Sequence, residues 1–303
     1  MAKILLAGVA VLDFIFNVEE FPRTAEKYRA EGAEITGGGN AANAAVAIAR
    51  LGGHAILATR LGDDPIADLI ENDLKSEQVD TALVRRFPQH RSSFSSIYID
   101  QAGERQIMNY RDLTLSMDAD WLTASPPADM KAVLTDTRWP QGALAAMQLA
   151  KKHNVPGVID AEAPVSEAID AVEQASHVAF SAQGASDFTG EEDAEAAALS
   201  ASKKLDGIVM VTDGGRGTVA VINGKPQWFP AAKVVAVDSL AAGDVWHGAF
   251  TLALAEEQPL GDAIEFANAA ASLKCTRSGG RNGAPDRNEV TRFMQTIEGG
   301  ENP

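Results

Sequence analysis

The sequence predicts an α/β fold of three layers, in which helices cover both faces of a mostly parallel central sheet, with a small β-sheet lid attached. Short Val-, Ile- and Leu-rich runs alternate with segments of helical period along most of the 303 residues. These runs are apolar throughout, as expected for strands that are buried on both faces. Two segments, 14–34 and 94–110, interrupt the alternation and predict the lid.

The elements of the core follow from these patterns in chain order. Apolar runs predict strands at Lys3–Val11, Ala55–Arg60, Ala132–Asp136, Gly157–Asp160, His177–Phe180, Gly207–Thr212 and Thr218–Ile222. Helical periodicity predicts helices at Ala41–Leu51, Pro65–Gln78, Gly142–His153, Asp193–Lys204, Asp244–Glu256, Leu260–Thr276 and Asn288–Glu298. Strands that alternate with helices in this way are expected to lie parallel in one sheet.

The lid is predicted from two inserts in this rhythm. The segment 14–34 alternates polar and apolar residues without a helical period, and the segment 94–110 indicates two strands around the turn 100–104. The core then comprises residues 1–13, 35–93 and 111–303, and the lid comprises 14–34 and 94–110. The last residues, 299–303, are expected to form a frayed tail.

Charge and hydropathy exclude several classes of partner. The net charge of −16 argues against nucleic acid and against anionic membranes, because both require a basic surface. The chain contains no apolar run long enough to cross a membrane, and its first apolar run is interpreted as a core strand instead of a signal peptide. We therefore expect a cytoplasmic protein, in which any anionic substrate is held by a local basic cluster.

The segment 237–248 predicts a binding place for anions. Its small, flexible residues form a turn, and an apolar segment of helical period follows from Val245. Unpaired N–H groups and the positive end of the helix dipole meet at such a helix start, which favours phosphate. Asp244 lies there and is suited to accept a proton from a hydroxyl that attacks a bound phosphoryl group. The alternative is that Asp244 serves only as a helix N-cap.

A second glycine-rich turn, within residues 36–53, also leads into an Ala-rich helix. Together the two segments resemble the paired signatures of the PfkB (ribokinase-like) carbohydrate kinases, and the resemblance extends from residues 8–13 to residues 279–286. It implies a ribokinase-like fold, an ATP-dependent transfer to a sugar hydroxyl, and a homodimer that pairs through the lid. The chain departs from the usual pattern of the family at Ser239, in place of Thr, and at Ala241, in place of Gly.

The resemblance also implies the residues of the reaction. Asp244 would be the catalytic base, and the N–H groups of Ala241, Ala242 and Gly243 would stabilise the transferring phosphoryl group. The side chain of Asp13, predicted to end the first strand, would bind sugar hydroxyls. The sugar would lie against the turn made by Gly38, Gly39, Asn40 and Asn43. On the residues alone, Asp13 is equally interpreted as a turn residue and Asn40 as a helix cap.

Two further segments are implied to bind ATP. One is the turn after a Val-rich strand, with Thr212, Gly214, Gly215 and Gly217; the other is the small-residue helix that carries Asn268 and Ala271. A plain tight turn and close helix packing are the alternatives. Mg²⁺ is required to bridge the phosphates. The Asn-x-x-Glu of the family is missing from the segment 181–190, so we predict no metal ligand from the protein.

Three residues narrow the substrate prediction. Lys27, Asn109 and Arg138 resemble the anion-binding set of the sulfofructose kinases, a branch of the PfkB family, and two cations with an amide suit a small oxyanion. The favoured substrate is therefore 6-deoxy-6-sulfofructose, phosphorylated at O1. The alternatives are a kinase for an unmodified sugar or sugar acid (fructose, ribose or 2-keto-3-deoxygluconate) and a catalytically weak protein that senses a sugar or nucleotide. A surface Lys, a strand-end Asn and a structural Arg would explain the same three residues.

Overall fold

The computed structural model describes residues 1–102 and 104–298, and its core is a nine-stranded sheet. The strand order is β13-β12-β11-β10-β9-β8-β1-β4-β5, and only the pairs that involve β12 are antiparallel. The bounds are β1 Lys3–Ala7, β4 His54–Gly62, β5 Val84–Phe87, β8 Ala132–Asp136, β9 Gly157–Ala161, β10 His177–Ser181, β11 Ile208–Thr212, β12 Thr218–Ile222 and β13 Lys225–Phe229. The prediction of a mostly parallel central sheet is confirmed.

Helices cover this sheet on both faces. The first layer comprises α1 Asn40–Arg50, α2 Pro65–Ser76, α8 Ala242–Ala255, α9 Leu260–Cys275 and α10 Arg287–Glu298. The second comprises α3 Asp120–Ala124, α4 Pro140–His153, α5 Ile169–Gln174, α6 Ala182–Thr189 and α7 Ala194–Ala201. Along β1, Ile4 and Leu6 pack with the first layer and Leu5 and Ala7 with the second. This alternation explains why the strand is apolar throughout.

A second sheet of four strands forms the lid. Its order is β3-β2-β6-β7, with bounds β2 Val11–Asn17, β3 Gly32–Gly38, β6 Phe94–Ile99 and β7 Arg105–Tyr110. The predicted hairpin is present as the antiparallel pair β6–β7, although Gly103 of its turn lies outside the described residues. The sheet is mixed, because β2 runs parallel to β6 and antiparallel to β3. Its strands reach beyond the predicted lid segments, and the division of the chain into core and lid stays a prediction.

The first predicted strand, Lys3–Val11, is wrong in its extent. β1 ends at Ala7, and the chain leaves the core at a turn where the Val9 N–H donates to Asp136 Oδ2 at 2.8 Å. A side chain at Gly8 would overlap the carboxylate of Asp136, so the chain can turn there only because Gly8 has none. Asp13 consequently lies on lid strand β2, and its predicted place at the end of the first core strand is corrected.

The sequence analysis did not predict several short elements. These are β5, β13, α3, α5 and α6, of four to eight residues each. In β13 the alternation is interrupted by Pro226, which an edge strand tolerates because one of its sides has no partner strand. The predicted tail at 299–303 lies outside the described residues. None of the helices among residues 1–102 and 104–298 is long and apolar enough to span a membrane.

Candidate active site at the carboxyl edge of the sheet

The predicted functional residues of the core meet at one edge of the central sheet. Parallel strands β1, β8 and β9 end there, and α1 and α8 begin there. The buried Asp136, at the end of β8, ties these parts together: its carboxylate accepts hydrogen bonds from the N–H groups of Val9, Ala41 and Arg138 at 2.8–3.1 Å. The carboxyl edge of a parallel sheet is where α/β proteins bind ligands, and the lid strands join the core at the same edge.

Asp244, in the first turn of α8, is linked to the start of α1. Its Oδ2 accepts a hydrogen bond from Asn43 Nδ2 at 2.7 Å. Asn43 Oδ1 lies 3.5 Å from Nη1 of Arg281, a buried arginine that also contacts the carboxylate of Asp73. Because the arginine can only donate, it fixes the orientation of the Asn43 amide, and the amide in turn fixes Asp244.

The carboxyl of Asp244 is poised to exchange a proton near neutral pH. Burial and the neighbouring charge of Asp160 raise the pKa of Asp244 to about 7, and Glu162 acts in the same direction. The hydrogen bond from Asn43 opposes the shift. A general base works best when its pKa lies near the working pH, so the site has the electrostatics that the predicted role of Asp244 requires.

A buried pair of Asp160 and His247 lies behind Asp244. Asn40 Nδ2 donates to Asp160 Oδ2 at 3.0 Å, and His247 Nε2 lies 3.5 Å from Asp160 Oδ1. The other ring nitrogen of His247 lies 2.7 Å from the carbonyl oxygen of Gly243. Burial is the main cause that lowers the pKa of His247 and raises that of Asp160. The predicted sugar-binding Asn40 therefore serves in this structure to hold Asp160.

The start of α8 presents the expected N–H groups with one correction. Among the described residues, the N–H groups of Ala241, Gly243 and Asp244 have no hydrogen-bond partner, whereas the Ala242 N–H donates to the Ser239 carbonyl at 3.2 Å. Ala242 is thus engaged in the turn and is not one of the free donors. Ala241 adopts φ 64° and ψ 10°, a left-handed conformation in which the usual Gly would be less strained.

A cavity of about 570 Å³ opens from this helix start along the sheet. Its lining includes all six residues that were predicted to bind nucleotide: Thr212, Gly214, Gly215, Gly217, Asn268 and Ala271. Gly243 and Ala242 lie at one end of the cavity, and Lys233 supplies a cation on its wall. The volume is within the range of pockets that hold ligands of nucleotide size, and the cavity leads to the anion-binding helix start.

Asn268 has a different role from the predicted one. Its Oδ1 accepts from Thr218 Oγ1 and Trp246 Nε1, both at 2.8 Å, and its Nδ2 donates to the Phe229 carbonyl at 2.8 Å. The side chain is buried and its hydrogen-bonding capacity is used within the protein. Asn268 therefore joins α8, α9, β12 and β13 at the wall of the cavity, with its amide engaged within the protein.

The lid brings Asp13 to the same carboxyl edge of the central sheet. Its carboxylate lies against the backbone of Gly38, where any larger residue would overlap it. Burial is the first cause of a raised Asp13 pKa, while a hydrogen bond from Ser95 and the charge of Arg281 oppose it. Asn109, on β7, donates to Ser95 Oγ at 3.2 Å. Gly39 adopts φ 95° at the start of α1, so a glycine is required at that turn.

The predicted oxyanion receptor is not assembled in this structure. The Arg138 guanidinium binds the Glu162 carboxylate at 3.2 Å, and Asn109 is engaged with Ser95. Lys27 is exposed in the irregular segment between β2 and β3 and makes no hydrogen bond or ion pair within residues 1–102 and 104–298. No described contact joins the three residues. Their convergence was predicted for a lid that closes over a sugar and stays a prediction; here Arg138 and Asn109 each bind a nearer neighbour.

Sequence analysis missed the residues that support the site. Arg281, Asp160 and His247 are buried polar residues whose partners lie far away in the chain, so no local pattern marks them. One indication was present for Arg281, since its neighbours 279–280 are a glycine pair in the segment that carried the family resemblance. The other two lie in a strand end and a helix that were assigned to the core.

Comparison with known proteins places this geometry in a family. Residues 1–287 match the profile described as pfkB family carbohydrate kinase. The ribokinase of Haemophilus influenzae is 28% identical over 291 residues, which cover 93% of this chain and 95% of the relative. A solved structure described as a "putative ribokinase" of Agrobacterium tumefaciens is 33% identical, with a TM-score of 0.91 over 98% of this chain and 99% of that one. The Arabidopsis thaliana ribokinase, complexed with ribose and ATP, is 24% identical with a TM-score of 0.83 over 97% and 99%, a likeness of fold.

Proposed function

Because this chain belongs to the pfkB family and is an ATP-dependent carbohydrate kinase, we propose that it phosphorylates a small unmodified sugar of the ribose or fructose type. One observation supports this most directly: Arg138, the strongest cation of the predicted oxyanion receptor, is already bound to Glu162 at 3.2 Å. A guanidinium paired with a carboxylate attracts a further anion only weakly. The ribokinases among its relatives agree with a neutral substrate.

The residues of the carboxyl edge have separate tasks in the proposed reaction. Asp13 accepts hydrogen bonds from sugar hydroxyls, and Asn43 holds the carboxylate of Asp244 at 2.7 Å. Asp244 takes the proton of the attacking hydroxyl. The free N–H groups of Ala241 and Gly243 donate to the transferring phosphoryl group, whose charge increases towards the transition state. The base and the donors lie within one helical turn, so proton removal and charge stabilisation act on the same group.

Mg²⁺ supplies charge neutralisation at the triphosphate in this class of reaction. No cluster of three or more His, Cys, Asp or Glu side chains in the described chain is arranged to hold a metal ion. Where the family has Asn-x-x-Glu, Ser181 instead caps α6 by accepting a hydrogen bond from the Gly184 N–H at 3.0 Å. This donor set fits an ion that arrives on the nucleotide and keeps most of its waters, as Mg²⁺ commonly does.

A sulfonated sugar, 6-deoxy-6-sulfofructose phosphorylated at O1, is the second candidate substrate. Asn109 favours it, because this amide lies one hydrogen bond from Ser95 and thus next to the Asp13 carboxylate. Arg138 would have to exchange Glu162 for the sulfonate, and Lys27 would have to close over the site from the lid. A receptor of two cations and an amide would then surround one oxyanion.

Replacement of Arg138 by Ala distinguishes the two substrates. With a neutral sugar we expect kcat/KM to change less than about threefold, since no oxyanion loses a partner. With a sulfonated sugar the loss of a charge-assisted hydrogen bond, about 1.5–3 kcal/mol, lowers kcat/KM about 10–150-fold. The measurement is kcat/KM for ribose, fructose, fructose 6-phosphate and sulfofructose in both proteins. Glu162→Gln is the matched control, compared at pH 9 because Glu162 also raises the pKa of Asp244: with the base ionised in both proteins, the freed Arg138 should raise kcat/KM only for an anionic sugar.

The outcome also tests the enzyme assignment. A wild-type preference for ribose or fructose, with equal small effects of Arg138→Ala on all sugars, supports the unmodified substrate. A wild-type preference for sulfofructose that Arg138→Ala abolishes makes the second candidate correct. If none of the four sugars supports ATP turnover, both candidates are wrong, which leaves another sugar such as 2-keto-3-deoxygluconate or a protein that senses a sugar or nucleotide.

The pH profile should follow the ionisation of Asp244. Its pKa is raised to about 7, and the base must be ionised, so kcat/KM should fall tenfold per pH unit below about 7 and level off above it. Asp160→Asn removes the negative charge that raises this pKa and should move the midpoint to lower pH. The measurement is log kcat/KM from pH 5 to 9 at constant ionic strength. A profile that is flat across pH 7, or unmoved by Asp160→Asn, would contradict the assignment.

We propose that the lid pairs two copies of this chain. Ile35 on β3, and Met108 and Tyr110 on β7, are exposed apolar side chains on one face of the lid sheet, with Met108 74% exposed, and Ile107 is exposed on the other face. A small sheet with an uncovered apolar face and an unpaired edge strand is marginally stable alone. Sedimentation at micromolar concentration should show a dimer, and Met108→Glu should shift it towards the monomer. Leu69→Glu, at an exposed apolar position on α2, is the control and should leave the dimer intact.

A further inference from the structure

Lys274 is an ammonium group buried beside the anion-binding helix start. It lies in the last turn of α9, and its side chain is 0% exposed. Its Nζ donates to the backbone carbonyl of Asp238 at 2.7 Å and lies 3.3 Å from Asp238 Oδ2. A buried lysine is costly unless its charge is paired and hydrogen-bonded. Asp238, which lies three positions before Ala241, meets both conditions.

Asp238, at the start of the loop 238–241 that leads into α8, connects this loop to several other parts of the protein. Its Oδ1 accepts from the Leu240 N–H at 2.9 Å and from the lid residue Arg105 at 2.9 Å, and its Oδ2 accepts from the Gly280 N–H at 2.9 Å. The N–H of Asp238 itself donates to the Cys275 carbonyl at 3.1 Å. Every one of these contacts restrains the segment that ends at the left-handed Ala241.

The charge of Lys274 therefore has two consequences at the helix start. It neutralises the Asp238 carboxylate, which would otherwise repel an incoming phosphoryl group, and it binds the loop carbonyl directly. The Ala241 conformation at φ 64° is intrinsically unfavourable and persists only where the surroundings enforce it. Without the ammonium, the Asp238 carbonyl would lose its hydrogen bond. The N–H groups of Ala241 and Gly243 would then no longer point towards the transferring phosphoryl group.

We propose that Lys274 is a positioning residue that acts as a built-in monovalent cation: it holds the loop 238–241 so that the anion hole is formed without any added ion. The inference rests on the proposed function, in which these N–H groups bind the transferring phosphoryl group. It assigns Lys274 no contact with either substrate. Its effect reaches the reaction through Asp238 and the backbone of Ala241.

Lys274→Ala should lower kcat about 10²-fold, the usual effect of losing one donor of such a hole, while the KM of the sugar changes less than about threefold. The variant leaves a cavity next to the Asp238 carbonyl. Ammonium chloride should therefore restore at least tenfold of the lost kcat, whereas tetramethylammonium chloride at equal ionic strength should not, because that ion is too large. The wild-type rate should be the same in ammonium, potassium and tetramethylammonium salts.

Two further proteins separate this role from a loss of folding. In Lys274→Ala the Asp238 carboxylate keeps Arg105 but loses its buried cation, which is destabilising; the double variant with Asp238→Asn removes that charge and should recover much of the Tm. The reference is the Asp238→Asn single variant, because that change alone disturbs the loop. If Lys274 only stabilises the fold, kcat of the double variant recovers with Tm to that of the single variant; if Lys274 positions the hole, kcat stays below it. Lys3→Met is the matched control, since Lys3 also donates to a loop carbonyl, that of Ala128 at 2.9 Å, but at the opposite edge of the sheet.

The results are distinguishable from failure of the proposed function. A wild-type protein without sugar kinase activity would overturn the proposed function before Lys274 is tested. An active wild type, together with a Lys274→Ala protein that keeps more than half of kcat, would overturn the inference alone. The inference is also wrong if ammonium and tetramethylammonium restore the rate equally, or if the wild-type rate depends on potassium.

Discussion

Asp244→Asn should lower kcat by roughly 10²–10⁴-fold, the range expected for loss of a general base. The amide has nearly the shape of the carboxylate, and its oxygen still accepts from Asn43 Nδ2, so the start of α8 should keep its geometry. Sugar and ATP should bind with nearly unchanged Kd. The measurement is kcat with saturating substrates, together with both Kd values by calorimetry. A variant that keeps more than a tenth of the wild-type kcat would rule out the base role.

The same substitution should make the protein more stable at pH 8. The folded-state pKa of Asp244 is raised to about 7 from a usual value near 3.8, so the folded protein favours the protonated form. The stability that this group contributes is present below about pH 4 and is lost as pH rises through about 7. Asn carries no charge to lose, so Tm should rise at pH 8 and change little at pH 4. Asp262→Asn, an exposed acid in the first turn of α9, is the control and should alter neither kcat nor Tm.

Asp13→Asn should have the second largest effect, on the sugar. A carboxylate that accepts hydroxyl hydrogen bonds contributes about 1.5–3 kcal/mol for each, and its neutral replacement should lower kcat/KM for the sugar about 10²-fold. The Kd of ATP should not change, because the cavity proposed to bind the nucleotide does not include Asp13. The measurement is kcat/KM for the best sugar, with the ATP Kd determined separately.

The control for Asp13 is another acid of the lid region. Glu20→Gln removes an exposed carboxylate from the segment between β2 and β3 and should leave kcat/KM within about twofold. Ser95→Ala should reproduce part of the Asp13 effect, since Ser95 donates to the Asp13 carboxylate. Equal sugar affinity in wild type and Asp13→Asn would show that this carboxylate does not bind the substrate.

The start of α8 could be predicted because its information is local. A turn of small residues followed by an apolar helical run marks a helix N-terminus, and Gly243 and Asp244 lie within five residues of the predicted turn. The same holds for the loop at 212–217, where a strand ends in glycines and all the predicted residues line one cavity. The hydrogen bonds of Asn268 could not be predicted for the opposite reason: its partners Thr218 and Phe229 are 50 and 39 residues away.

The sequence by itself determined the layered α/β class, the lid hairpin, and the turn and helix start that carry Asp244, since each depends on periodicity or turn chemistry within a few residues. Tertiary structure decided which side chains support the site. The contact of Arg281 with Asn43 joins positions 238 residues apart, and that of Arg105 with Asp238 joins positions 133 apart. The ion pair of Arg138 was decided in the same way, because its partner Glu162 follows a different strand, β9. Charged side chains pair with whichever opposite charge the packing of distant elements brings nearest, and no local pattern records that distance.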